Sequence, residues 1–135
     1  MITINDIPMV ALNCLNEDHI EVGKLINDLR TLLCTKAPNI DILKHFENLL
    51  DHCENHFMCE EFQMKKYQYE DFESHKMIHD EALSELKKIH QQWIEEQDRN
   101  FLQDYIDNKF TPWLIDHIEN NDYSAARAIV ATGGS

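Results

Sequence analysis

Residues 40–67, IDILKHFENLLDHCENHFMCEEFQMKKY, contain neither glycine nor proline, and apolar side chains return every three or four positions. The stripe passes through Phe46, Leu49, Cys53, Phe57 and Met64, which is the spacing of one face of an α-helix with about 3.6 residues per turn. Glycine and proline disfavour a helix interior most strongly, and neither occurs anywhere between residues 40 and 111. The chain is therefore predicted to be built from long helices.

Three further segments share this period, so that helices are predicted over about residues 17–35, 40–67, 71–96 and 101–119. Amphipathic helices joined by short connections indicate an all-α fold, an up-down-up-down four-helix bundle. The first 15 residues are expected to form an N-terminal arm over the bundle, and the residues after Asp122 a short C-terminal helical piece. Pro112 is expected to kink the fourth helix, because its ring removes one backbone hydrogen bond.

Length and composition predict one domain. The chain has 135 residues, of which 43% are hydrophobic, enough for a single core. We expect this domain to cover residues 1–130. The remaining residues 131–135, ATGGS, have the composition of a flexible linker or a cloning scar.

The charge and the cysteines exclude several classes of protein. With 25 Asp and Glu against 12 Lys and Arg, the net charge is −13, which argues against binding to nucleic acid or to anionic membranes. No apolar run is long enough to cross a bilayer, and the N-terminus lacks the pattern of a secretory signal. The four cysteines do not resemble a disulfide framework, so a reducing compartment, the cytoplasm, is expected. Paired acids such as Glu60-Glu61 are interpreted mostly as a solvated face.

The spacing of the histidines predicts a metal centre. His56 and Glu60 are four residues apart on the second predicted helix, and His75 and His79 are four apart on the third. Residues four apart project from the same helix face. Buried imidazoles and carboxylates without partners are costly, and a core that contains this many of them favours a bound metal.

The first and fourth helices add further candidate ligands, His19, His117 and Asp122. Asp122 follows His117 by five residues, which is about 140° away on a regular helix. We therefore expect the helix to end between them, at Asn120-Asn121, so that the carboxylate can turn inward. Imidazole and carboxylate ligands suit iron, zinc, manganese or copper. Five histidines and two carboxylates are too many for one ion, whereas two ions bridged by both carboxylates would use all seven, and iron forms such pairs in helical bundles.

These residues resemble the motifs of the hemerythrin family. The run HFMCEEFQM at residues 56–64, followed by Tyr69, His75 and His79, is similar to the family signature, and WLIDHI at residues 113–118 with Asp122 and Tyr123 is similar to its fourth-helix motif. The residues around His19 match more loosely. The resemblance covers about residues 15–123.

The resemblance implies a non-haem di-iron domain that binds O2 reversibly, with two iron ions bridged by an oxo or hydroxo group. His75, His79 and His117 would bind one iron, His19 and His56 the other, and Glu60 and Asp122 would bridge them. The iron with two histidines would keep the open position for O2. The resemblance also places five apolar residues around the bound gas, namely Val22, Phe57, Trp113, Leu114 and Ile118.

Several alternatives stay open at this stage. The isolated domain is expected not to be an enzyme, and the competing hypothesis is a di-iron oxidase, peroxidase or nitric-oxide-handling protein. Within the binding hypothesis, the chain would carry O2 or would serve as the sensor domain of a signalling protein such as a diguanylate cyclase, with an attached output domain; a homodimer is also open. His45, His52 and His90 are interpreted as bystanders, and a zinc site at Cys53, His56 and Cys59 is disfavoured.

Overall fold

The computed structural model of the chain describes residues 6–134. Three long helices come first, α1 (Asn13–Leu33), α2 (Asn39–Lys66) and α3 (Phe72–Glu96). The rest of the helical chain consists of α4 (Arg99–Tyr105), a π-helical turn (Ile106–Phe110), α5 (Thr111–His117), a second π-helical turn (Ile118–Asp122) and α6 (Tyr123–Ala131). The backbone keeps helical dihedral angles through every junction, so these pieces form one continuous fourth rod.

The predicted all-α four-helix bundle is confirmed, and residues 6–134 contain no strand. The apolar stripes of the helices face one another. Among the side chains with no exposed surface are Ile26, Leu29, Phe46, Leu86 and Ile106. Burying one such side chain contributes about 1.5–3 kcal/mol, so this core holds the helices together. No described helix is long and apolar enough to cross a membrane.

Short polar segments set the direction of the chain at the end of α3. Gln97 takes a left-handed conformation with φ of 50° and closes α3, and the Asp98 side chain accepts a hydrogen bond from the backbone N–H of Phe101 to start α4, as an N-cap does. Arg99 then donates to the backbone oxygens of Thr35 and Ala37 in the α1–α2 connection. The two connections at this end of the bundle, α1–α2 and α3–α4, are thereby joined.

The fourth rod differs from its prediction at its C-terminal end, and it has an irregular turn near Pro112, where a kink was expected. The helix does not end at Asn120-Asn121; it continues through the second π-helical turn, so that expectation was wrong. Near Pro112 the backbone forms the first π-helical turn, with the N–H of Thr111 bonded to the oxygen of Ile106. Pro112 then lies in the first turn of α5, directly after the π-helical turn, and its missing N–H leaves the rod with one backbone hydrogen bond fewer at this point.

The N-terminal arm packs on α1 through a pair of hydrogen bonds and an apolar contact. Asn16, which is 6% exposed, accepts a hydrogen bond from the N–H of Val10 and donates one to the oxygen of Val10, both at 2.9 Å. Ile7 lies over Gly23, where a Cβ would come within 2.8 Å of the Ile7 side chain. The part of the predicted arm within residues 6–12 thus covers the bundle, and residues 1–5 lie outside the described part.

The C-terminal helical piece is α6, which buries Ala125, Ala126 and Ile129 against the bundle. It ends at Ala131. The proposed domain boundary near residue 130 and the interpretation of residues 131–135 stay predictions.

Replacing Asn16 by alanine should loosen the arm. The backbone N–H and oxygen of Val10 would lose both partners, and an unsatisfied buried polar group costs about 1–3 kcal/mol. We expect the free energy of unfolding, measured with denaturant, to fall by about 2 kcal/mol. Asn13→Ala, at an exposed position of the same helix, should change it by less than about 0.5 kcal/mol. Equal losses in the two variants would show that the Asn16 amide does not hold the arm.

Candidate metal centre

Seven ionisable side chains meet inside the bundle, and every one is almost completely buried. The least buried is His56 at 7% exposed, and Glu60 and His79 have no exposed surface. They are the seven candidate ligands named from the sequence: His19, His56, Glu60, His75, His79, His117 and Asp122. α1, α2, α3 and the fourth rod all contribute, because each helix turns the polar position of an otherwise apolar stripe toward the same point.

The ligand atoms form two groups that share both carboxylates. One group is Glu60, His75, His79, His117 and Asp122; the other is His19, His56, Glu60 and Asp122. Within each group the atoms lie within 4.8 Å of one another. Imidazole nitrogens and carboxylate oxygens bind ions such as zinc at about 2.0–2.2 Å, so opposite ligands of one ion lie about 4.2 Å apart. Each group therefore has the size of a single metal site.

Three nitrogens surround the first group's carboxylate oxygens. His75 Nε2 lies 2.7 Å from Glu60 Oε1 and 3.0 Å from Asp122 Oδ1. His117 Nε2 lies 3.0 Å from Asp122 Oδ1 and 3.2 Å from His79 Nε2. The two imidazole nitrogens face each other at hydrogen-bond distance, a contact that a shared cation would stabilise.

The second group uses the remaining oxygen of each carboxylate. His19 Nε2 is 3.1 Å from Asp122 Oδ2, and His56 Nε2 is 3.2 Å from Glu60 Oε2. Glu60 and Asp122 each present one oxygen to one group and one to the other. This is the arrangement that bridging carboxylates require.

The second π-helical turn lets Asp122 reach this point. The N–H of Tyr123 bonds to the oxygen of Ile118, five residues earlier, so the turn holds one residue more than an α-helical turn. The wider turn brings Asp122 onto the same side of the rod as His117, although an α-helix would separate them by about 140°. Such turns are rare and often lie at functional sites.

The positions of the donor atoms suit coordination of a metal better than hydrogen bonding to one another. Among the described residues, His19 Nε2, His56 Nε2 and both Glu60 oxygens are buried without a hydrogen-bond partner. Their short contacts lack hydrogen-bond geometry, and an unsatisfied buried polar group costs about 1–3 kcal/mol. A cation between these lone pairs would remove that cost.

Charge in the cluster is strongly perturbed. Burial and the nearby Asp122 act to raise the pKa of Glu60, but contacts with His56, His75 and His79 outweigh them and lower it to about 2. The pKa of Asp122 also falls well below its usual range: burial opposes the fall, and contacts with His117, His19 and His75 outweigh it. Both carboxylates are therefore ionised at neutral pH.

Two of the histidines are perturbed in the opposite sense. Burial acts to lower the pKa of His56, but Asp18 and Glu60 raise it to about 10. Burial likewise opposes the shift at His75, where Asp122 and Glu60 raise the pKa to about 9. Both imidazoles carry protons at pH 7 in the metal-free cluster, and a metal would have to displace them.

Two outer carboxylates orient the imidazoles. His56 Nδ1 donates to Asp18 Oδ2 and His79 Nδ1 donates to Glu61 Oε2, each at 2.8 Å. A bond at Nδ1 leaves Nε2 directed toward the cluster, as in many metal sites. Reading Glu61 as part of a solvated face was wrong, because its side chain is only 17% exposed. In the sequence, the only sign of this role is that Glu61 stands next to the candidate ligand Glu60. The histidine that Glu61 orients, His79, is on another helix.

Two of the apolar residues expected around a bound gas stack directly on candidate ligands. Phe57 stacks on His79, with ring centroids 4.1 Å apart, and Trp113 stacks on His117 at 4.8 Å. Val22, Leu114 and Ile118 are all buried in the same core. Their role as a gas pocket stays a proposal.

The bystander histidines lie outside both groups. His45 bonds to the backbone oxygen of Asp41 and His90 to Glu47. His52 does more than expected: its Nε2 bonds to the backbone oxygen of Asp18 at 3.1 Å, the residue that orients His56.

The cysteines of the disfavoured zinc site also stay apart from the cluster. Cys59 is exposed. Burial raises the pKa of the Cys53 thiol to about 12, so it is not a thiolate at neutral pH. Neither cysteine belongs to the two groups.

Metal binding at pH 7 should release protons from His56 and His75, whose raised pKa values keep them protonated beforehand. We expect about two protons per chain, and an apparent affinity that rises with pH up to about 10, the raised pKa of His56. Titration of the metal-free protein with Zn²⁺ by calorimetry, in buffers of different ionisation enthalpy, measures this. His56→Gln should release fewer protons and His45→Gln the same number as the unaltered chain. Heats that do not depend on the buffer would contradict the prediction.

Comparison with known proteins agrees with this geometry. The chain matches the family model "Hemerythrin HHE cation binding domain" over residues 10–128. It is 26% identical over 130 residues to a bacteriohemerythrin of Aquifex aeolicus, covering 96% of this chain and 98% of that protein. It is 31% identical over 110 residues to a myohemerythrin of Theromyzon tessulatum, covering 81% and 78%.

A crystal structure of wild-type hemerythrin superposes on the fold with a TM-score of 0.77 at 21% identity, covering 96% of both chains. The family's cofactor is a di-iron centre, and the buried cluster of histidines and carboxylates suits it. Since the family model spans nearly all of the described bundle, the chain belongs to the hemerythrin family.

Proposed function

We propose that this chain binds O2 reversibly at a di-iron centre held by the seven clustered side chains. The observation that carries the proposal is the pair of ligand groups that share Glu60 and Asp122. This sharing favours two ions bridged by the same carboxylates over two separate metal sites. Iron(II), when bound, would supply the electrons that make binding of O2 possible.

The two groups are unequal, and this inequality supports a place for O2 on one side. Three histidines and two carboxylates provide five donors on one side, whereas His19, His56 and the same carboxylates provide four on the other. With one further bridging oxygen the totals are six and five. Iron takes up to six ligands in such sites, so an ion held by His19 and His56 would keep a position for O2.

The surrounding residues would protect the reduced centre. Phe57 is 2% exposed, Val22 and Leu114 are each 4% exposed, and Ile118 has no exposed surface. A dry apolar wall of this kind disfavours charge separation. Loss of superoxide, which would leave oxidised iron behind, is thereby slowed. Reversible binding is therefore favoured over oxidation.

The balance of ligands also bears on the competing enzyme hypothesis. Carboxylate-rich di-iron centres of helical bundles use Glu ligands together with Glu-x-x-His pairs. Here five of the seven candidate ligands are histidines, which supports binding over cleavage of O2. Carrying O2 and sensing it both begin with this binding step, and a sensor would need in addition an output that follows the state of the site.

The central test is O2 titration of the anaerobically reduced, iron-loaded protein. We expect about two irons per chain and a visible absorption band that appears with O2 and disappears on deoxygenation. His117→Ala should lose iron and the band, while His90→Ala, which removes a histidine outside the cluster, should keep both. Rapid irreversible oxidation with substrate turnover would favour the enzyme, and one zinc per chain would exclude the di-iron interpretation.

Glu61 should tune metal affinity without contacting the metal. Glu61→Ala removes the acceptor that orients His79, and the loss of such an outer partner costs about 10- to 100-fold in affinity. Glu61→Gln keeps an acceptor oxygen and should recover part of it. Competition titrations with Co²⁺ and a chelator measure both, and the Co²⁺ spectrum reports the ligand geometry. Glu70→Ala, at an exposed position, is the control; an equal effect there would remove the case for Glu61.

A further inference from the structure

An open groove runs along the outside of the bundle, between α3 and the fourth rod. Its walls are Ile78 and Ala82 on one side and Tyr105, Phe110 and Trp113 on the other, and its volume is about 270 Å³. A cavity of about 150 Å³ is large enough for benzene, and drug-sized ligands occupy about 300–1,000 Å³. The groove therefore has room for a flat molecule of one or two rings.

The rod side of the groove is a line of stacked rings that leads to the metal cluster. Tyr105 and Phe110 have centroids 6.2 Å apart and planes 26° apart. Phe110 and Trp113 follow at 6.2 Å and 24°, and Trp113 stacks on His117 at 4.8 Å and 12°. A molecule that lies against Trp113 is thus separated from a candidate metal ligand by a single indole ring.

This contact matters because the cluster itself cannot be touched from outside. All seven candidate ligands are at most 7% exposed, and Phe57, which stacks on His79, is 2% exposed. Trp113 is only partly buried and lines the groove. Electron transfer weakens steeply with distance, so a donor seated on Trp113 has a short path to His117.

The rim of the groove selects the charge of its occupant. Glu81, Glu85 and Lys109 complete the lining, so two carboxylates stand against one ammonium group. The chain as a whole carries −13. The negative rim repels anionic molecules and attracts cations.

We propose that the groove beside Trp113 is the docking site of a small planar aromatic electron donor, neutral or cationic, that re-reduces the oxidised di-iron centre. The inference rests on the proposed function, since a reversible O2 binder needs its iron returned to the ferrous state whenever it oxidises. Two one-electron donors each give up one electron, and two ferric ions become ferrous. With a viologen radical cation as the donor, the products are two viologen dications; the donor itself exchanges no proton, and the one proton needed where an oxo bridge becomes hydroxo comes from water.

Methyl viologen is a suitable probe, because its reduced form is a planar cationic donor and its oxidised form quenches tryptophan fluorescence. In stopped-flow experiments on the diferric protein, the rate of reduction should saturate with reduced viologen. Ala82→Phe, which fills the groove, should lower the rate at low viologen about tenfold. The matched variant Ser84→Phe, at an exposed position on the same helix, should react as the unaltered chain does. Dithionite, a small anion, should reduce all three at equal rates.

A second measurement does not depend on iron chemistry. In the zinc-loaded protein, oxidised viologen should quench the fluorescence of Trp113 with saturation, and both Ala82→Phe and the rim reversal Glu85→Lys should weaken this binding. Rates that increase linearly with viologen and are the same in all variants would overturn the proposal, as would quenching unaffected by either substitution. If the protein binds O2 reversibly but shows no saturation and no effect of the substitutions, the docking site in the groove is refuted and the proposed function stands. If the protein fails to bind O2 reversibly but viologen quenching behaves as expected, the proposed function is refuted and the groove remains a binding site.

Discussion

Seven ionisable side chains in the core of a small helical bundle are the constraint that the rest of this structure satisfies. Imidazoles and carboxylates lose their hydration there, and burial of charge without compensation is costly. The helices therefore hold the five histidines against Glu60 and Asp122, and these contacts lower the pKa values of both carboxylates and raise those of His56 and His75. Several donor atoms still have no hydrogen-bond partner. A pair of cations would bind the donor atoms that contacts among the protein groups leave without partners.

The fourth rod shows how the backbone adapts to that constraint. An α-helix cannot direct His117 and Asp122 to one point, because five residues rotate too far. The π-helical turn at Ile118–Asp122 adds the residue that corrects the rotation, and the rod remains helical beyond it. Buried Ala125, Ala126 and Ile129 in α6 then pack on the bundle and hold the rod in place. Apolar packing on both sides of the turn thus stabilises a backbone conformation that is rare by itself.

Some residues around the cluster close it against water, and others connect it to the surface of the bundle. Phe57 and the aliphatic side chains close the interior against water, whereas Asp18 and Glu61 link two of the imidazoles to the boundary of the bundle. Trp113 belongs to both sets, because it stacks on His117 and also lines the groove between α3 and the fourth rod. Small uncharged O2 and an electron-donating ring would thus use different approaches to one centre.

The sequence by itself determined the bundle and the identity of the clustered residues. The second and third helices were predicted within one residue at each end and the first within four, since an apolar period is written in each segment and does not depend on the other helices. The four-residue spacing likewise showed that His56 and Glu60 share one helix face, and that His75 and His79 share another. Tertiary structure alone decided the wide turn at Asp122, the bonds of Asp18 and Glu61 to histidines of other helices, and the groove beside Trp113. The bonds and the groove depend on how far one helix is rotated against its neighbour, and the turn depends on where the rest of the cluster lies. No window of sequence contains either.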